Sequence, residues 1–157
     1  MPFLRVDLAG PISADLKREL LHRTAELFAV ITESPIERIR TQVHELPADS
    51  FAIGGVSIAE SGEQAPFITL DLLQGRPIEQ HTALIERVSA LVAELLGVPV
   101  QRTRLRINEV PPEDWGIGGV PAATNRVDEI DARRASSPSR AWPVRRVARV
   151  RRRSNGS

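Results

Sequence analysis

The chain has 157 residues, 41% of them hydrophobic and 26% charged, with a formal net charge of +1, which bounds it to one compact soluble unit. It contains no cysteine, so disulfides and thiolate metal sites are excluded. No apolar run approaches the ~18 residues of a membrane span, and no basic leader with a long apolar segment opens the chain, so a cytoplasmic location is expected.

The chain opens Met1-Pro2 and runs into a strand-like segment, Phe3-Leu4-Arg5-Val6-Asp7-Leu8. Methionine ahead of a compact residue is normally trimmed, which would leave Pro2 bearing the free amino group as a secondary amine. An α-amino group titrates near ~8, and positive neighbours or an apolar wall would hold it neutral at physiological pH. A neutral amine beside an acidic C–H is a general base. The structural alternative is that Pro2 only opens an edge strand, where a missing N–H costs nothing.

After the strand at 3–8 comes Pro and Ser punctuation, with Ser13 as N-cap and Asp15 in the first turn of a helix. Leu16, Leu20, Leu21, Leu27, Phe28 and Ile31 form its inner stripe. Pro35 lies past its end, a second strand covers 39–46, and a Pro-containing turn leads to Phe51-Ala52-Ile53-Gly54-Gly55, a hairpin signal. The pattern then starts again. A shift of 64 residues, without a gap, places Pro2-Phe3 on Pro66-Phe67, Asp7-Leu8 on Asp71-Leu72, Pro35 on Pro99, Arg38 on Arg102, Arg40 on Arg104, and Ile53-Gly54-Gly55-Val56 on Ile117-Gly118-Gly119-Val120. The second copy reads as a strand at 67–73, then a helix opened by Pro77. Its stripe is Leu84, Ile85, Val88, Leu91, Val92, Leu95 and Leu96, and Gly97 is its C-terminal glycine. A strand at 103–110 and a second Gly-Gly hairpin follow.

A strand, a helix and a second strand of these lengths make a right-handed β-α-β crossover with parallel strands. The expected fold class is α+β: two tandem β-α-β modules, 1–64 and 65–126, related by a pseudo-twofold. Together they form one compact domain, a four-stranded sheet with both helices on one face, plus short hairpins. The uncovered sheet face then calls for an oligomer. The rest of the chain differs in charge. Residues 1–126 carry twelve basic and seventeen acidic side chains, whereas 127–157 carry nine arginines against three acids. That last segment reads as an arginine-rich disordered tail.

These residues resemble the tautomerase superfamily typified by 4-oxalocrotonate tautomerase, and within it the fused, double-length members. The resemblance rests on Pro2, the Gly75-Arg76 pair after the second module's first strand, Arg40 and Arg104 opening each second strand, and the segments Phe51-Ala52-Ile53-Gly54-Gly55 and Trp115-Gly116-Ile117-Gly118-Gly119. It covers about residues 2–126. It implies a cofactor-independent keto–enol tautomerase with Pro2 as general base. It further implies that Arg76 binds a substrate carboxylate and that Arg40 or Arg104 polarises a carbonyl oxygen. Phe51 or Trp115 would supply the apolar wall, and the assembly would be a trimer of fused chains. The roles agree chemically: a guanidinium stabilises a developing enolate without losing a proton and binds a planar carboxylate bidentately. Pro66 is internal, its nitrogen an amide, and Ile12 stands where the second copy has Arg76. One working site per chain is therefore expected, with the amine from one copy and the anchoring arginine from the other.

Each of these residues also has a plain structural reading. The arginines can be solvated surface residues, the aromatics core residues, and the Gly-Gly pairs hairpin glycines. His22, His44 and His81 are scattered, so no metal site is expected. Ile53 and Ile117 stand where a dehalogenating relative needs a water-activating acid. The expected reaction is thus tautomerisation of a small carboxylate-bearing enol or 2-oxo acid. Haloacrylate dehalogenation and β-keto acid decarboxylation remain alternatives within the superfamily. The alternative outside it is a non-catalytic oligomeric scaffold with an anion-binding tail. No membrane partner is expected, and no nucleic acid beyond weak contact through the arginine-rich tail.

Overall fold

The computed structural model describes residues 2–136. Each module begins with a strand whose alternate residues face the helices. In β1 (Phe3–Ala9), Leu4, Val6 and Leu8 are buried while Phe3, Arg5 and Asp7 turn the other way. Helix α1 (Ala14–Thr32) starts at Ser13, whose side chain accepts from the Leu16 amide, and ends on Glu33 in the left-handed region. Strand β2 (Arg40–Leu46) lies parallel to β1, with Phe3 opposite Arg40 and Asp7 opposite His44. A hairpin of β3 (Ala52–Ile53) and β4 (Val56–Ser57) leads into a single helical turn, α2 (Ile58–Ser61).

The second module repeats this order as β5 (Phe67–Leu73), α3 (Ile78–Leu96), β6 (Arg104–Val110), β7 (Gly116–Ile117), β8 (Val120–Pro121) and α4 (Ala122–Asn125). The sheet runs β2-β1-β5-β6. β5 and β6 are parallel, and β1 meets β5 antiparallel with Leu4 opposite Leu70, which generates the pseudo-twofold. Each hairpin turns on two glycines of positive φ, Gly54-Gly55 and Gly118-Gly119, a conformation that favours a residue without a Cβ. The α+β fold of two tandem modules expected from the repeat is the one observed.

The core lies between the sheet and the two helices. Leu4, Val6, Leu8, Ile68, Leu70 and Leu72 from the central strands are buried beneath Leu20, Phe28, Leu84, Val88 and Val92. Burying one such side chain contributes about 1.5–3 kcal/mol.

Four details depart from the sequence expectation. Pro77 caps α3 rather than occupying its first turn, because its ψ of 147° is extended. Ile85 is 46% exposed, since its side chain lies outside the face that α3 turns to the sheet. In α1, Thr24 and Thr32 join the buried face, because their hydroxyls return to the Leu20 and Phe28 carbonyls at 2.5 and 2.7 Å. Finally, the segment expected to be disordered from residue 127 begins with a helix, α5 (Val127–Ser136). Ile130 is buried, and Glu129 is held by two arginines. These two adjacent anchors stabilise a turn that its own polar composition would not. Residues 137–157 lie outside the described residues.

Phe28 is fully buried, so Phe28→Ala should lower stability by about 3–5 kcal/mol. Chemical denaturation followed by far-UV circular dichroism measures this, and a loss below about 1 kcal/mol would misplace Phe28 in the core.

Candidate active site

Pro2 is buried at the head of β1, with its carbonyl accepting from the Arg40 amide at 3.0 Å. Beside it is a small, open concavity lined by Pro2, Ser34, Arg38, Leu73, Arg76, Arg126 and Glu129. Both modules contribute. Ser34 and Arg38 follow α1, whereas Leu73 and Arg76 come from the end of β5 and the turn into α3.

Arg76 crosses the module boundary. One guanidinium nitrogen donates to the Thr32 carbonyl and to Gln80 Oε1, each at 3.0 Å, and another to Ser34 Oγ at 3.2 Å. These bonds fix the planar head at the C-terminal end of α1, where unpaired carbonyls and the helix dipole favour a cation. Gly75, at φ 96°, makes the turn that sends Arg76 there.

Arg38 and Arg126 converge on one carboxylate. Arg38 donates to Glu129 Oε1 at 2.9 Å, and Arg126 donates to both Glu129 oxygens at 3.1 Å. Partial burial pushes the Glu129 carboxyl up. The hydrogen bonds from Arg38 and then Arg126 outweigh it, and the pKa lies below the ordinary carboxylate value.

Of the residues singled out in the sequence, one chain brings Pro2 and Arg76 together. Arg40 and Arg104 lie elsewhere: each opens a strand and donates to carbonyls of its own turn, Glu37 and Ile39 for Arg40, Gln101 and Thr103 for Arg104. Strand alternation explains the placement. Thr41 reaches the Leu21 carbonyl on the helix side, so its neighbour Arg40 faces the uncovered side. Phe51 and Trp115 sit at the bases of the two hairpins, where their carbonyls accept from Ile58 and Ala122 at 2.8 and 2.7 Å. Neither lines the Pro2 concavity in the single chain.

Arg38, Arg126 and Glu129 were not expected there. The repeat carried a signal for two of them. Arg38 recurs as Arg102, which pairs with Glu63 at 2.7 Å, and Arg126 stands where the first copy has Gly62. The corresponding place beside Pro66 thus has Ile12 for Arg76 and Gly62 for Arg126, and its proline nitrogen is an amide. The duplication has been kept as a fold and divided as a site. The histidines stand apart: His44 contacts Asp7 at 2.7 Å on the uncovered sheet face, and His22 and His81 lie 3.6 Å from Glu26 and Glu109.

Pro2, at the amino end of the fold, thus shares a concavity with Arg38 of its own module and with Arg76 and Arg126 supplied from the second, fused β-α-β module. The comparisons identify the family. The sequence model of the tautomerase family, described as tautomerase enzyme, matches twice, at residues 2–61 and 66–125. The chain belongs to that family. It is 44% identical over 57 residues to a 2-hydroxymuconate tautomerase of Comamonas testosteroni, a match covering 36% of this chain and 90% of that one. A solved structure of native fused 4-OT is 35% identical with a TM-score of 0.73, covering 78% of this chain and 97% of its own. Another, the F6 fused 4-OT asymmetric trimer, is 31% identical with a TM-score of 0.73, covering 79% and 98%. The function these findings support is that of a keto–enol tautomerase, an isomerase, in preference to the dehalogenating and decarboxylating alternatives.

Helix α5 lies beyond both matched segments, and its docking has a pH signature. A carboxylate whose folded pKa is depressed stabilises the folded arrangement above its unfolded pKa, about 4.3. That contribution is lost as pH falls through the lowered value. Protection factors of the α5 amides should therefore hold from about pH 7 to about pH 5 and fall below about pH 4. In Glu129→Gln this acid step should disappear; a step of unchanged size would show that another group docks the helix.

Proposed function

We propose that the chain, once Met1 is removed, isomerises a small carboxylate-bearing enol or 2-oxo acid with Pro2 as general base. The observation that carries this reading is the placement of Pro2 and Arg76, from different modules, on one concavity. The ring nitrogen takes the enol hydroxyl proton, electrons move into a conjugated enolate, and the same proton returns to carbon, leaving a C=O. In the reverse direction the proton leaves carbon first. Positive charge beside an amine disfavours its protonated form, so the surrounding guanidiniums favour a neutral nitrogen. Arg76 holds the substrate carboxylate. Its guanidinium is already oriented by Thr32, Ser34 and Gln80, so little rotamer freedom is lost when the anion binds.

Stabilising the enolate oxygen needs a further positive charge. We assign that role to Arg40 or Arg104, and the apolar wall to Trp115 or Phe51, presented by a neighbouring chain in a homo-oligomer. A trimer of fused chains is the arrangement named for the F6 and R7 fused 4-OT structures. What favours it here is the uncovered sheet face bearing Arg40 and Arg104, and the exposed Ile53, Val56 and Val120 on the hairpins. The 2-hydroxymuconate tautomerases point to 2-hydroxydienoates as the substrates to assay first, both the dicarboxylate of their name and a monocarboxylate counterpart. No helix among the described residues is long and apolar enough to cross a membrane.

The test is enol ketonisation by protein whose amino terminus is established by mass spectrometry. Retained Met1 would leave the Pro2 nitrogen an amide and end the proposal. Pro2→Ala, which replaces the rigid ring amine with a freely rotating primary amine, should lower kcat at neutral pH about tenfold or more. Arg76→Ala removes a charge-assisted contact of about 1.5–3 kcal/mol, so KM should rise about ten- to a hundredfold, with a smaller effect on kcat. Wild-type kcat in the first variant, or an unaltered KM in the second, would remove that residue from the site.

A further inference from the structure

We infer that Glu129 of α5 is a built-in carboxylate occupying a two-arginine anion site, Arg38 with Arg126, next to the anchor Arg76, and that it restricts the cleft to monocarboxylate substrates. This rests on the tautomerase reading for its substrate class, though not for its geometry. The cleft holds three guanidiniums, two more than one carboxylate anchor needs. Two of them grip a carboxylate that comes from the protein itself. From these two arginines Glu129 receives three hydrogen bonds, the Arg126 pair reaching both oxygens from one nitrogen and Arg38 adding a third. Two arginines thus hold one carboxylate of the chain itself.

The pair also differs from its counterpart in the other module. There Arg102 meets a single carboxylate, Glu63, with no second arginine, because Gly62 stands in place of Arg126. An ion pair serving only to dock a segment is satisfied by that simpler arrangement. The second arginine and the following helix occur together on the side of the molecule that has the amine.

Competition decides the consequence. A tethered carboxylate acts at an effective concentration on the order of millimolar or above, and Glu129 is only three residues from Arg126. Its carboxyl is held below the usual carboxylate range, so it stays ionised at neutral pH. A substrate with one carboxylate binds Arg76 and leaves this arrangement intact. A dicarboxylate whose second group reaches the cleft must displace Glu129 and its charge, and binds weakly.

The experiment is isothermal calorimetry on the full chain with two saturated, unreactive acids of equal length, adipate and hexanoate. Glu129→Gln, which keeps the shape and removes the charge, should tighten adipate binding about tenfold or more and hexanoate less than threefold. A second variant with the chain ended after Arg126 should behave alike. Adding Arg38→Gln to Glu129→Gln should take the adipate gain back. Adipate affinity unchanged in both single variants, or equal gains for the two acids, would overturn the inference; the second outcome would mean only general charge relief. Because these acids do not react, the result is independent of the Pro2 variants. Loss of the adipate gain with intact Pro2 dependence sinks this inference alone, and the converse sinks the catalytic reading alone.

Discussion

The antiparallel pairing of β1 with β5 is the constraint on which the site depends. Phe3 lies opposite Asp71, so Pro2, one residue earlier, is level with the end of β5, where Leu73 and then Arg76 follow. A two-residue slip along this ladder would keep every apolar side chain on its proper face. It would also carry Arg76 about 7 Å from Pro2. A one-residue slip would turn Leu4, Val6 and Leu8 toward solvent. The fully buried strand residues therefore exclude the odd slips, whereas interlocking with the helices must exclude the even ones. Leu4, Leu8, Leu70 and Leu72 from the strands share one buried core with Leu20, Phe28, Leu84 and Val88 from the helices. Packing thereby sets the distance between an amine and a guanidinium that lie in different modules.

Duplication explains why the two halves could diverge. In a chain of two fused copies only the first can expose a proline nitrogen, so every side chain serving a second amine is released from that task. Ile12 and Gly62 fill the places of Arg76 and Arg126 on the idle side. Arg40 and Arg104 keep the same local bonds in both copies, as expected of residues retained by the fold itself, whereas Arg38 pairs with Glu129 and Arg102 with Glu63. Charge has accumulated around the amine that is left: three guanidiniums and one carboxylate.

Much of this was legible in the sequence because the relevant signals are local or periodic. The 64-residue repeat gives the element order twice. Alternation along Phe3–Leu8 and three-and-four spacing along Leu84–Leu96 give the buried faces, and Pro2 and Gly75-Arg76 stand out by position. What could not be read depends on three-dimensional proximity. Arg38 is one of several arginines after α1 and becomes distinct only where Glu129, 91 positions away, reaches it. Arg40 looked equivalent from the sequence. Strand alternation puts it on the opposite face from the helix-side Thr41, and a one-residue difference in phase decides which face a side chain serves. Helix α5 was hidden for a related reason. Its polar composition argues against an isolated helix, and the contacts that order it, Ile130 in the core and Glu129 on two arginines, are tertiary.

The same helix changes the electrostatics of the cleft in a way that bears on the amine as well as on the anion. Three arginines without a counterion would oppose protonation of Pro2 strongly and would also attract any small anion in solution. Glu129 neutralises part of that charge in a fixed direction. Arg76 is held by its bonds to Thr32, Ser34 and Gln80, while Arg38 and Arg126 are tied to Glu129. In the proposed mechanism a charge on a short tether bears on both quantities at once: the charge state of the nitrogen and the number of carboxylates the cleft will accept. Relieving it would widen the range of acids bound and would lower the nitrogen's basicity further. Proton transfer works best when the base's pKa lies near the operating pH, so a cleft with too much positive charge is a poorer catalyst for the reaction its anchor selects. The carboxylate of α5 lines the same concavity as Pro2 and in the proposed mechanism belongs to the working site, although it lies outside the two repeated modules that build the rest of it.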